Sequence, residues 1–271
     1  MFDPKELAEV ERKKKEWEET TLQKNLQRLG MSESPARFYT PLDVRDHDYL
    51  EKEGFPGQYP YTRGTYAVPI FFTPYAEAAE ATGAVAPRAG LYAGYGTAED
   101  TRDLWRAEKR RGANVAFDLP SQCGYDSDHP LAEGEVGRVG IAVDTLQDFE
   151  TLYEAFDGLT TLDRMASNFT INAPCNVILA MYFALAEKKG VPLDRLRGTP
   201  QNDILKEFVA RGTYIFPPEP SMRMIRDTIT YCSKYAPNIN VISICGYHMR
   251  EAGASEAQAA GFTFSHAIAY V

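Results

Sequence analysis

Six polar residues fall where a catalytic surface would need them. Asp118, Asn172, Gln201, Asn202, Tyr247 and His248 each sit at the carboxyl end of a segment that reads as a β-strand. In (β/α)8 barrels the chemistry lives at that end. Taken singly, each residue also has an ordinary structural reading. An isolated histidine such as His248 is more often a buried structural residue, Gln201 can cap the helix that follows it, and Arg211 can form a surface salt bridge. The histidines (His47, His129, His248, His266) are dispersed, and so are Cys123, Cys175, Cys232 and Cys245. No local metal-ligand spacing results, and no metal site is assigned.

The segments that must position these residues alternate. Strand-like stretches at 90–94, 114–119, 165–171, 198–203 and 240–247 are separated by helical patterns near 98–111, 145–155, 175–189, from Ile204, 221–235 and 255–270. Strands separated by helices imply parallel pairing through right-handed crossovers. The pattern predicts an α/β fold of the (β/α)8 TIM type, incomplete in this chain, with about five βα units present over 87–271. Residues 1–86 are expected to form an N-terminal arm. It opens with one charged helix over 3–29, closed by Gly30, and continues as an extended stretch over 32–66; 75–85 reads as a short helix. The thin stripe Leu7, Val10, Trp17, Leu22, Leu26 and Leu29 predicts packing on another surface such as a second subunit, so an oligomer is expected.

Bulk properties exclude several classes. A net charge of −9 and a pI near 5.1 argue against nucleic-acid binding, which needs a basic face. The run Arg12-Lys13-Lys14-Lys15 is followed by Glu16, Glu18 and Glu19 and reads as a solvated helix face. The longest apolar segment, 177–186, is too short for a membrane span, and residues 1–6 lack the apolar core of a secretory signal. Scattered cysteines suit reduced thiols, and a cytoplasmic location is expected.

Several strings are more specific than any periodicity. Tyr-Ala-Gly-Tyr-Gly-Thr-Ala-Glu occupies 92–99, Ala-Phe-Asp-Leu-Pro-Ser-Gln 116–122, Gly-Tyr-Asp-Ser-Asp-His-Pro 124–130 and Gly-Glu-Val-Gly-Arg-Val-Gly 134–140. Arg-Gly-Thr-Pro-Gln-Asn-Asp-Ile-Leu-Lys-Glu follows at 197–207, Ala-Arg-Gly-Thr-Tyr-Ile at 210–215, and Ile-Cys-Gly-Tyr-His-Met-Arg-Glu-Ala-Gly at 244–253. From about residue 55 onward these strings together closely resemble the large, catalytic subunit of the adenosylcobalamin-dependent methylmalonyl-CoA mutase family, in the same order.

That resemblance implies a radical 1,2-rearrangement of an acyl-CoA in which the thioester carbonyl migrates to the neighbouring carbon. The cofactor carries the hard step, while the protein orients and polarises the substrate. His248 matches the residue that hydrogen-bonds the thioester carbonyl, and Gln201 matches one that positions the substrate beside it. Arg211 matches the residue that binds the free carboxylate of a dicarboxylic acyl group, where relatives handling other acyl groups carry glutamine; a guanidinium pairs bidentately with carboxylate and an amide does not. Tyr92 matches the aromatic that touches the substrate and wedges the adenosyl group from cobalt. Ala116, Phe117, Leu119, Ala210, Arg211, Tyr247 and Glu251 match positions at the cofactor face, with core packing the plainer alternative for Phe117 and Leu119. Asn114, Thr199 and Tyr66 are assigned to the substrate and its CoA channel, which the arm would begin.

Two departures stand out. After Tyr-Pro-Tyr-Thr-Arg-Gly at 59–64, the segment 67–91 lacks the family's usual arginine-bearing string, and Arg88 does not align with it. The cobalt-ligating Asp-x-His-x-x-Gly motif is not found either. The resemblance therefore places the cobalamin-binding domain on another chain, such as a small subunit or a homologous one, or in a further region. It leaves open a mutase acting on methylmalonyl-CoA or another branched dicarboxylic acyl-CoA, one for ethylmalonyl-, isobutyryl- or 2-hydroxyisobutyryl-type groups, and a truncated, non-catalytic interaction subunit.

Overall fold

The first helix starts where local chemistry tells it to. Asp3 accepts a hydrogen bond from the backbone N–H of Lys5 at 2.7 Å, and Pro4 fills the first turn, where a missing donor costs nothing. The computed structural model describes residues 3–34, 37–63 and 94–271. The short helix expected at 75–85, most of the strand expected at 90–94, Tyr66, Arg88 and Tyr92 lie outside the described residues. Contacts divide the chain into two compact units, Met1–Ala76 and Glu77–Val271.

In the first unit, α1 (Pro4–Trp17) is followed by a wide π-turn, Glu18–Leu22, and then α2 (Gln23–Leu29). The single helix expected over 3–29 is thus helical with an irregular middle. There Thr20 Oγ1 donates to the carbonyl of Glu16 at 2.6 Å, a local competitor for the helical ladder. The basic run is a solvated, ion-paired face, with Arg12 2.7 Å from Glu9 and 3.4 Å from Glu16. The stretch at 32–66 is not simply extended. A 3-10 turn at Pro41–Val44 begins at a Thr40–Asp43 capping box, and α3 (Tyr49–Lys52) is capped by Asp48.

The second unit is built on three parallel strands in the order β1 (Ala113–Ala116), β2 (Ala166–Thr170) and β3 (Arg197–Pro200). Helices α4 (Ala98–Ala107), α6 (Leu146–Tyr153) and α7 (Cys175–Lys188) contribute to the core that covers one face. Two of them begin at capping boxes, Thr97–Asp100 for α4 and Thr145–Asp148 for α6. Period-two alternation places Val115, Phe117 and Phe169 in that core. Phe169 meets Phe117 at 6.3 Å, Phe149 at 5.9 Å and Tyr182 at 5.3 Å between ring centroids.

The opposite face is polar. Asn114, Asn168 and Thr199 are successive register partners, and Asn168 Nδ2 donates to Asn114 Oδ1 at 2.6 Å. Asn240 Nδ2 extends the row to Thr199 Oγ1 at 3.2 Å. Gly198, the residue before Thr199 and the register partner of Ser167, has φ of 158°, and a Cβ there would meet the Ser167 carbonyl oxygen at 1.9 Å. Gly198→Ala is therefore expected to destabilise the unit by about 2 kcal/mol, read as a lower urea midpoint at unchanged slope. An unchanged midpoint would mean that β2 and β3 can separate without penalty.

Both edges differ from expectation. Beyond β1, Ile141 bridges to Phe117, its N–H donating to the Ala116 carbonyl at 2.8 Å; no strand was expected there. Beyond β3, the strand expected at 240–247 reduces to residues that track β3 through Asn240 N–H to Gly198 O and Ser243 N–H to Gln201 O, both 2.9 Å. By Tyr247 the chain is already helical, in α10 (Tyr247–Glu251). Likewise, the strand expected at 114–119 ends early, because Asp118 caps the short α5 (Leu119–Cys123). Three further helices complete the described unit: α8 (Ile204–Lys206), which runs into a π-turn at Glu207–Arg211, α9 (Pro218–Tyr235) and α11 (Glu256–Tyr270). The result is an α/β fold with a parallel sheet and mostly helices, consistent with part of a TIM-type barrel. Among the described residues, no helix is long and apolar enough to cross a membrane.

Candidate active site

The carboxyl ends of β2 and β3 deliver a dense polar cluster. The chain continues past β3 with Gln201 N–H donating to Phe169 O and Asn202 N–H to Ile171 O, both 2.8 Å, so these residues are held by β2 as firmly as a strand would be. Asn202 adopts a positive φ of 52°, and its Nδ2 donates to the Val241 carbonyl at 3.1 Å. That turn redirects the chain so that Asp203, Lys206 and Glu207 point inward. All three are buried.

Glu207 is the hub. Its Oε1 accepts from Asn172 Nδ2 at 2.6 Å and from Arg211 Nη1 at 3.3 Å, and lies 3.4 Å from Lys206 Nζ. Its Oε2 accepts from the Thr213 backbone N–H at 3.0 Å and from the Thr213 hydroxyl. Asn172 also donates to Gln201 Oε1 at 3.0 Å, and Lys206 Nζ donates to the same oxygen. The π-turn at Glu207–Arg211 closes with Gly212 at φ 88°, and such wide turns are frequent at functional sites. Removing the carboxylate would leave Lys206 fully buried without its anionic partner and with the Arg211 guanidinium close by. Glu207→Gln is accordingly expected to cost about 3 kcal/mol of unfolding free energy, measured by urea denaturation. A change below about 0.5 kcal/mol would contradict a closed ion cluster.

His248 stands in the first turn of α10, half-buried, with Nδ1 buried and without a hydrogen-bond partner among the described residues. Burial, and then the positive charges of Lys206 and Arg211, lower its pKa to about 4, against a smaller opposing pull from Glu207 and Asp203. The imidazole is therefore neutral at physiological pH, able to donate one N–H without carrying charge. Burial also lowers the Lys206 pKa, an effect opposed by Glu207 and Asp203. Tyr247, 62% exposed, meets the His248 ring edge-on at 5.4 Å.

The remaining residues sort by face. Asn114, Ala116 and Thr199 are half-buried on the polar face of the sheet. Ala210 lies within the π-turn, and Glu251 is exposed one helical turn after Tyr247. Leu119 is 39% exposed, so core packing does not describe it. The Phe117 side chain is fully buried in the aromatic core, as its core-packing alternative describes. Strand alternation turns it toward the helices. Asp118, equally buried, receives the Ser121 and Gly137 N–H groups at 2.9 and 2.7 Å and so ties the start of α5 to the loop at Gly137.

Sequence reasoning singled out Gln201, Arg211 and His248 but missed Lys206, Glu207 and Asp203. Asp203 accepts from the Tyr270 hydroxyl at 2.7 Å, and this bond and burial raise the phenol's pKa, burial most. The available signal was the Lys206-Glu207 pair immediately after a strand end, since lysine and glutamate are rarely fully buried unless paired.

Comparison with known sequences identifies the family. The family profile described as methylmalonyl-CoA mutase matches residues 31–271, and the chain belongs to that family. It is 40% identical, over its whole length and 47% of the relative's, to the 2-hydroxyisobutanoyl-CoA mutase large subunit of Aquincola tertiaricarbonis. It is 42% identical, over 86% of its length and 30% of the relative's, to the methylmalonyl-CoA mutase large subunit of Streptomyces virginiae. The ethylmalonyl-CoA mutase of Methylorubrum extorquens shares 45% identity over 66% of this chain and 26% of its own. The chain spans less than half the length of these relatives.

Proposed function

We propose that this chain is the substrate-binding part of an adenosylcobalamin-dependent acyl-CoA mutase that acts on methylmalonyl-CoA or a related branched dicarboxylic acyl-CoA. The observation that carries the reading is the convergence of His248, Gln201 and Arg211 on one ion cluster held by Glu207 and Lys206. His248 donates its N–H to the thioester oxygen and, being neutral, follows the shift of charge on that oxygen without adding a buried cation. Gln201 presents its Nε2 hydrogens beside it. Arg211 is 29% exposed and spends one guanidinium nitrogen on Glu207, which leaves its other N–H groups for a substrate carboxylate. Asn114 and Thr199 offer hydrogen bonds along the polar face for a CoA chain, and Tyr66 and Tyr92 complete the proposed substrate contacts.

The described residues fit a face for the cofactor rather than its cobalt ligand. Tyr247 and Glu251 share one exposed helix face; with Leu119, Ala116, Ala210 and Arg211 they would border the corrin and its adenosyl ligand. Phe117 would contribute there through its backbone alone. Adenosylcobalamin, when bound, supplies the radical chemistry of the carbon-skeleton rearrangement. The chain's own task is to hold the acyl group, polarise its carbonyl and keep water away. A cobalamin-binding domain, on a small subunit or elsewhere in the protein, is the proposed partner. The test of substrate class is equilibrium binding to the assembled enzyme: methylmalonyl-CoA is expected to bind at least about tenfold more tightly than isobutyryl-CoA. Equal affinity, or the reverse order, would move the assignment to a monocarboxylic or hydroxylated acyl group.

A further inference from the structure

We infer that Lys206 is a positioning residue that fixes which end of the Gln201 carboxamide meets the substrate. An amide side chain can sit either way round, and the two orientations present opposite hydrogen-bonding characters. Here the choice is forced. Lys206 Nζ carries only hydrogens to donate, and it points at the Gln201 side-chain atom that also receives Asn172 Nδ2 at 3.0 Å. That atom must be oxygen. Both donors are themselves pinned: Asn172 also donates to Glu207 at 2.6 Å and accepts from the Asp203 N–H at 2.9 Å, while Lys206 lies fully buried 3.4 Å from Glu207. Gln201 Nε2 makes no hydrogen bond among the described residues, and Gln201 is only half-buried, so two N–H donors are turned outward.

The consequence is chemical. With Nε2 outward, Gln201 adds a second donor to the carbonyl that His248 addresses. With the amide reversed, its oxygen would confront the carbonyl oxygen and repel it. Lys206 makes the reversed state unfavourable, because an NH2 group cannot accept from an ammonium. The ammonium is not proposed to touch the substrate; apart from its charge on His248, which does not depend on Gln201, it acts through Gln201, and the inference rests on the reading of Gln201 given above.

The test is a double-mutant cycle in the enzyme assembled with its cobalamin-binding domain, combining Lys206→Met and Gln201→Ala, read as kcat/KM for acyl-CoA isomerisation. Lys206→Met is expected to lose about tenfold to a hundredfold with Gln201 present, and less than about threefold once Gln201 is alanine. Equal losses in both backgrounds, or no loss in either, would overturn the inference and reduce Lys206 to a structural charge. A harmless Gln201→Ala would instead remove the reading of Gln201 itself, and the inference with it. Should Lys206→Met fail to assemble, Lys206→Gln keeps an N–H donor without the charge. A loss that disappears with Gln201→Ala supports the role there too, and one that persists refutes it.

Discussion

Arg211→Gln in the assembled mutase is expected to lower kcat/KM for methylmalonyl-CoA by on the order of a hundredfold or more, while leaving the fold intact. The physical basis is the loss of a charge-assisted pair with the substrate carboxylate, worth about 2–5 kcal/mol when buried against a bound partner. The fold survives because Glu207 keeps Lys206, Asn172 and Thr213 after the guanidinium is gone. A substrate without the second carboxylate should lose little or even gain, since an amide meets it without stranding a charge. If both substrates suffer equally, Arg211 serves Glu207 rather than the acyl group. That outcome would favour the surface-salt-bridge reading, for which the 3.3 Å contact to Glu207 is the natural structural expression.

His248→Ala should cost more, on the order of a hundredfold to ten-thousandfold in kcat, with a smaller change in KM. The pH behaviour makes this separable from a packing defect. The folded-state pKa lies near 4, below the ordinary histidine value of about 6.5, so the limb that protonation of His248 puts on the rate should appear near pH 4. Stability follows the same linkage. The unfolded chain takes up the proton near 6.5 and the folded chain does not, so the contribution is fully present above pH 6.5. It is lost as pH falls from there through about 4. In His248→Ala that part of the acid destabilisation should vanish. A rate limb at pH 6–7 that disappears with His248→Ala would mean a solvated, ordinary imidazole and would undercut its role as a neutral donor.

Helix starts were legible because they are local: Thr145–Asp148 and Ser255–Gln258 are each complete within four residues. So was the class of fold, since strands β1 to β3 and the helices between them alternate along the chain. The extent of the strand expected at 240–247 was not, because the segment holds an apolar run that fits a strand equally well whether or not it pairs beyond its first residues. Phe117 and Leu119 show the limit at single-residue scale. Both match cofactor-facing positions, yet strand alternation buries one, and the helix that starts at the other leaves it in solvent.

The candidate site was legible in its outward-facing members and illegible in its supports. His248, Gln201 and Arg211 lie in distinctive strings. What holds them depends on Asn172, 29 residues from Gln201 and 35 from Glu207 along the chain, and no local pattern states that proximity. Lys206 and Glu207 read as an ordinary charged pair until the sheet closes over them. Nothing in the composition distinguishes a solvated Lys-Glu pair from one that is fully buried.

The proposed task of this chain is to position an acyl-CoA for an intramolecular carbon shift. The most direct measurement is 13C NMR on the enzyme assembled with adenosylcobalamin and its cobalamin-binding domain, using methylmalonyl-CoA labelled at the thioester carbonyl and at the neighbouring carbon. The labelled carbonyl is expected to leave its labelled neighbour and bond to the former methyl carbon, so that the one-bond coupling between the labels is lost with no exchange into the medium, and His248→Ala is expected to slow this shift without abolishing binding. Labels that stay in place in an assembly with both cofactor and acyl-CoA bound would contradict it, and would leave the chain as a mutase-like subunit that does not catalyse.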